Sequence, residues 1–143
     1  MTKKVLVILL LFTMLLPSIP SFAMGSPCAD IIDTKQNIVI KSVQVNSEIN
    51  NIVSSWVNSI DNFCGKISPL TVEGYKVRVT LNPPVEMHKK SLTAKVNEVY
   101  IIVPQNKPPF LIIYEDKNKP SYFKFHGNID NLSKALGFNL RNK

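Results

Sequence analysis

The sequence predicts an α+β fold: a curved antiparallel sheet of four to six strands packed on one long amphipathic helix over residues 47–64, with a short C-terminal helix. Three observations carry this. From Ser47 to Gly65, SEINNIVSSWVNSIDNFCG places an apolar residue every three or four positions, the period of a helix with one buried face. Several other segments are rich in Val, Ile, Tyr and Phe, and one alternates strictly between apolar and polar residues. Near the C-terminus, NIDNLSKALG combines Asn128 or Asp130 near its cap, a short amphipathic run and a closing glycine, Gly137.

Residues 1–23 read as a secretory signal. Lys3 and Lys4 precede an apolar run from Val5 to Leu16 that only Thr13 interrupts; Pro17 and Pro20 break it, and Ser21-Phe22-Ala23 supplies small residues for a signal peptidase. The run is shorter than the roughly 18–20 residues a membrane span needs. Cys28 follows Gly25-Ser26-Pro27, which lacks a lipoprotein pattern. Residues 24–143 are expected to be a single exported domain, periplasmic or secreted, with no membrane span after cleavage.

Removing Lys3 and Lys4 leaves 15 Lys and Arg against 10 acids, a net charge of +5. The charge is uneven: Met24 to Gly65 carries −2, and Lys66 onward carries +7. In an oxidising compartment the two cysteines, Cys28 and Cys64, are expected to pair. On a chain-entropy estimate, that loop contributes about 3–4 kcal/mol.

NIVIKSVQV, Asn37 to Val45, is β-branched and reads as a strand. On the helical wheel, Ile49, Ile52, Val53, Trp56, Val57, Ile60, Phe63 and Cys64 share one arc, with Ser47 or Asn46 capping the start and Gly65 suiting the end. Trp56 is therefore expected to anchor the core. In GYKVRVTL, Tyr75, Val77, Val79 and Leu81 take one face, and Lys76, Arg78 and Thr80 the other. EVYIIVP and FLIIYED are apolar on both faces and belong in the sheet interior. SYFKFHG puts Phe123 and Phe125 inward, with Tyr122, Lys124 and His126 outward.

LTAKVNEVYIIV changes apolar phase at Asn97-Glu98. A two-residue hairpin or a β-bulge would each produce that change, but Asn-Glu suits a primed turn poorly. One long bulged strand is favoured. It would set the loop NPPVEMHKK at the same end of the sheet as EDKNKP, joining Lys89 and Lys90 to Lys117 and Lys119 in a basic rim. A hairpin would instead set that loop beside PQNKPP.

Catalytic chemistry finds little to work with. His88 and His126 are scattered, and the sequence has no Gly-x-Ser-x-Gly elbow, His-Glu-x-x-His motif or phosphate-cradling glycine loop. No cofactor and no metal is expected, since two Cys and two separated His do not make a ligand cluster. Glu115 and Asp116 read as a solvated hairpin tip.

The segment YFKFHGNIDNLSKALGFNL resembles, in outline, the strand–helix–strand unit of the small periplasmic domains that precede secretins. The order strand, long helix, antiparallel meander is similar to the cystatin-like fold. SVQVN lacks the glycine of the cystatin Gln-x-Val-x-Gly hairpin, so neither resemblance carries site residues over.

The expected function is that of an exported, non-catalytic protein-binding or assembly accessory factor, for instance in an envelope apparatus such as a pilus or secretion system. Its partner-binding candidates are Pro83, Pro84, Met87, Lys89, Lys90, Pro108, Pro109, Lys117 and Lys119. Pro-Pro pairs stiffen a loop and cut the entropy lost on binding, Met87 supplies an exposed apolar group, and the lysines steer encounter. A basic module weakly binding an anionic polymer or membrane surface is the first alternative. A small secreted hydrolase or inhibitor is the second.

Overall fold

A computed structural model describes residues 26–60, 72–89 and 92–141 of the 143-residue chain, with Lys89 and Leu92 described by backbone alone. Its strands are β1 (Cys28–Asp33), β2 (Ile38–Gln44), β3 (Gly74–Lys89), β4 (Leu92–Pro104), β5 (Phe110–Asp116) and β6 (Lys119–Phe123). They form one antiparallel sheet in the order β2-β1-β3-β4-β5-β6. The helices are α1 (Ser47–Asn58) and α2 (Ile129–Leu136).

Side chains alternate between the faces of a strand, and the register turns that alternation into rows. Lys41, Ile31, Val77, Ile101, Leu111 and Phe123 lie opposite one another across all six strands. Past Lys41 this row is buried, and it meets Ile49, Val53, Trp56 and Val57 of α1 and Ile129, Leu132 and Leu136 of α2 in one core. The faces expected for Tyr75, Val77, Val79 and Leu81, and the burial of Trp56, match the structure.

The next row lies on the face without helices and reads Ser42, Asp30, Arg78, Tyr100, Ile112 and Tyr122. It grades from polar on β2, β1 and β3 to apolar on β5 and β6. Ile102, Phe110, Ile112 and Tyr122 form a second, smaller buried cluster there. Tyr122 is thus buried on the second face, where solvent exposure was expected: with bulky neighbours on β4 and β5, that end of the face builds its own cluster.

The helix is shorter than its apolar period suggests. Asn46 caps it by accepting from the Ile49 N–H at 2.9 Å, and it ends after 12 residues. The Ser59 N–H is shared between the carbonyls of Ser55 at 3.0 Å and Trp56 at 3.1 Å. Hydroxyls in the last turns compete for the same backbone: Ser55 donates to the Ile52 carbonyl at 2.7 Å and Ser59 to that of Trp56 at 3.0 Å. Ile60 stays buried beyond the helix end, so the apolar arc marked burial correctly at Ile49, Val53, Trp56, Val57 and Ile60, with Ile52 half-buried, and helix length incorrectly. Phe63, Cys64 and Gly65 lie outside the described residues, as do residues 1–23.

α2 follows the expected signals. Asn128 accepts from the Asp130 N–H at 2.9 Å, and Gly137 closes the helix at φ 62°, the left-handed position that favours glycine. The chain after β6 crosses the helix-bearing face from one sheet edge to the other. Phe125 lies 4.7 Å from the Trp56 ring, Phe138 meets Tyr75 edge-on at 5.1 Å, and the Gly137 carbonyl accepts from Lys41 of edge strand β2 at 3.0 Å. No strand follows α2 among the described residues. The resemblance to a strand–helix–strand unit stops at the helix.

Two features were not expected. β1 exists, although Asp is unfavourable in strands. The segment NPPVEMHKK is also no loop: Asn82 to Lys89 are the second half of β3, pairing Val85 with Val96 and Lys89 with Leu92. β4 is one strand from Leu92 to Pro104 and not a hairpin, but the bulge lies in β3 instead of at Asn97-Glu98. The ladder is interrupted between Thr80 and Val85, where Asn82-Pro83 is a cis peptide. Because Pro offers no N–H, a ladder can hold two prolines only at such a bulge.

Candidate functional site

The strand lengths shape the molecule's one arm. β3 pairs with β4 out to Lys89 and Leu92, whereas β1 pairs with β3 only over Tyr75 to Val79. On the other side, β5 pairs with β4 at only three rungs, Tyr100–Ile112, Ile101–Leu111 and Ile102–Phe110. Below Tyr100 the β3–β4 ribbon leaves the sheet as a two-stranded arm, and β4 and β5 part company.

Local sequence explains the parting. Val96 and Val99 are both buried, while Asn97 and Glu98 between them are both exposed. The ladder irregularity beside them lies in β3, where four residues, Leu81 to Pro84, stand against Asn97 alone, and a bulge of this kind bends and twists the ribbon. β5 is irregular at the same level, between Tyr114 and Asp116. Continuing the register of the three rungs would also set Lys95 of β4 opposite Lys117 at the end of β5, and like charges directly opposite destabilise pairing.

A cleft of about 750 Å³ opens where the strands separate, with Thr80, Lys95, Glu98, Tyr100, Tyr114 and Lys117 among its walls. A second, of about 340 Å³, continues along β4 past Thr93 and Ala94. At the inner end, the Tyr100 hydroxyl donates to Glu98 at 2.7 Å, Tyr114 stands edge-on to Tyr100 at 5.4 Å, and the Lys76 ammonium lies 5.9 Å from the Tyr100 ring centre. Burial, followed by the bond to anionic Glu98, pushes the Tyr100 hydroxyl up to about 12. Glu115 accepts from Ser121 at 3.1 Å, and Asp116 from the Lys117 N–H at 2.7 Å.

Beside the cleft, Asp30 accepts from Ser42 at 2.5 Å and from Arg78. The Ser42 bond and then the Arg78 guanidinium hold its carboxyl below the usual carboxylate range. This network welds β2, β1 and β3 across the helix-free face.

The predicted site residues are scattered. Pro83 is exposed and Pro84 half-buried in the β3 bulge. Pro108 and Pro109 lie in the connection that follows Pro104, which pairs with Gly74 at the opposite end of the sheet. The two proline pairs do not form one surface. Met87 is 2% exposed and is no apolar docking group, because strand alternation opposite Ala94 turns it into the core. Lys89 ends β3, and Lys90 lies outside the described residues. Lys117 lines the cleft, and exposed Lys119 begins β6, paired with Asp116. The expected shared end for the arm and the β5–β6 turn follows from this register.

Sequence reasoning missed Lys95, Glu98, Tyr100 and Tyr114. The phase change at Asn97-Glu98 was the available signal, because a bulge marks a place where pairing ends. His88 sits 3.7 Å from Glu86, both exposed, while His126 donates its N–H to Ser59 at 3.4 Å near the end of α1. Cys28 is an exposed free thiol donating to the Ser26 carbonyl at 3.1 Å. Cys64 lies outside the described residues. The Val45 N–H bonds the Pro27 carbonyl at 2.8 Å, so α1 starts beside Cys28 and carries the chain roughly 18 Å away from it.

Among the described residues no three His, Cys, Asp or Glu side chains cluster as metal ligands, and no helix is long and apolar enough to cross a membrane. No protein-family model, curated protein or solved structure matches the chain. What the described residues define is a class: an α+β fold with an open six-stranded antiparallel sheet and, among those residues, two helices on one face.

Proposed function

We propose that this is an exported, non-catalytic protein that binds a protein partner, as an accessory factor in the envelope or outside the cell. One observation carries the reading: the unpaired edge of β4 opens onto the cleft beside the lysine-bearing β5–β6 turn. Exposed strand edges are templates for another chain, and lysines around them speed encounter with a complementary surface. The apolar start of the sequence and the uneven positive charge support export and an acidic partner surface.

The test is crosslinking in the native compartment followed by mass spectrometry, paired with a pull-down. A specific partner stays bound at roughly 0.3 M salt, whereas binding to an anionic polymer collapses steeply with salt. Loss of every captured protein at that salt, with retention of nucleic acid or polysaccharide at low salt, replaces this reading with the polyanion one.

A further inference from the structure

We propose that the free edge of β4 from Thr93 to Glu98 receives one extended peptide segment of the protein partner, with an acidic side chain of that segment seated between Lys95 and Lys117. The inference rests on the protein-binding reading above and names the partner's chemistry.

The backbone supplies the first argument. β4 has 13 residues and is paired with β3 along its arm, but only Tyr100, Ile101 and Ile102 pair with β5. From Thr93 to Glu98 its second edge has no strand against it among the described residues, a stretch of roughly 20 Å at the rise of a β-strand. Peptide addition satisfies such donors and acceptors with main-chain bonds and takes specificity from alternate side chains. The opening is a cleft between two strands of the same sheet, so it suits a single strand better than a broad protein face.

Charge supplies the second argument. Three carboxylates near the cleft already have partners: Glu98 holds Tyr100, Glu115 holds Ser121, and Asp116 holds the Lys117 N–H. Lys95 and Lys117 line the same cleft with no ion pair among the described residues. Lys95 stands on β4 and Lys117 in the turn after β5, so the two approach the cleft from its two walls. A carboxylate at that level of an inserted strand neutralises both ammoniums and removes the repulsion that keeps β4 and β5 apart. Lysine on an open edge also disfavours the equally basic edge of a second copy.

The experiment measures fluorescence anisotropy with the mature protein and three labelled octapeptides. All alternate Thr and Val; one carries a central Glu, one a central Lys, and one the Glu flanked by two Pro residues. Saturable binding of the Glu peptide is expected, at least roughly tenfold weaker for the Lys and Pro forms, because one loses the charge pair and the other the ladder. The double variant K95E/K117E, with its thermal transition checked, should reverse the preference in favour of the Lys peptide. Equal binding of the Glu and Pro forms, or full displacement by heparin at low salt, overturns the strand mode in favour of polyanion attraction. Absence of saturable binding up to about 1 mM, an affinity of roughly −4 kcal/mol, overturns the inference outright. If that happens while crosslinking still captures a partner on another surface, the protein-binding reading stands and only the slot falls.

Discussion

Gly127 lies flat against the indole of Trp56: a Cβ built on this glycine would fall 2.1 Å from Trp56 Nε1. The contact forms where the chain after β6 crosses α1, with the Phe125 ring tilted against the same indole at 4.7 Å. A ring held by the core cannot retreat as a flexible chain end would, and overpacking of this kind typically costs about 1–3 kcal/mol. Gly127→Ala should therefore lower the thermal midpoint and change the emission of the single tryptophan. Unchanged stability and emission would mean the crossing segment is not seated on α1.

The Asp30 carboxylate gives a pH signature. Its pKa is depressed by Ser42 and then Arg78, so its contribution is present above the ordinary Asp value of about 3.9. It is lost as pH falls through the lower folded value. Because Arg78 is half-exposed, the contribution is about 1 kcal/mol. Urea unfolding between neutral and acid pH should show wild type losing this increment while Asp30→Asn does not. Identical acid slopes would remove Asp30 as the origin.

Tyr100 should titrate at about 12 in an ultraviolet titration of the folded protein. Glu98→Gln should bring it down by removing the anionic acceptor. A phenol raised in the folded state stabilises below its unfolded value of about 10, and the gain disappears as pH climbs through about 12. Stability should therefore fall across that alkaline window, and less steeply in Glu98→Gln.

Met87 separates packing from docking. Being 2% exposed in the arm, it should behave as a core residue, with Met87→Ala costing about 2–5 kcal/mol and accelerating amide exchange in Val85 to Lys89. A variant of full stability that loses partner capture would instead make Met87 a contact residue.

Features that depend on near neighbours were legible in the chain. Alternation assigned the faces of β3, the apolar arc chose Ile49, Val53, Trp56 and Val57 for burial, and Asn128 and Gly137 bounded α2. Those signals span a few residues because side-chain period and end-capping are local. Helix length escaped the same reasoning, since Ser55 and Ser59 turn their hydroxyls on the backbone at one end only. Tertiary structure alone decided the rest. β1 is a strand because β2 and β3 pair with both of its edges, and Arg78, 48 residues away in sequence, pairs with its Asp30. The arm exists because two prolines are absorbed by a bulge, and the cleft exists because β5 stops following β4 after three rungs. Lys95 and Lys117 come to line one cleft only because β4 and β5 separate there. Hydrogen-bond pairing between strands is the non-local interaction that no period in a single segment encodes.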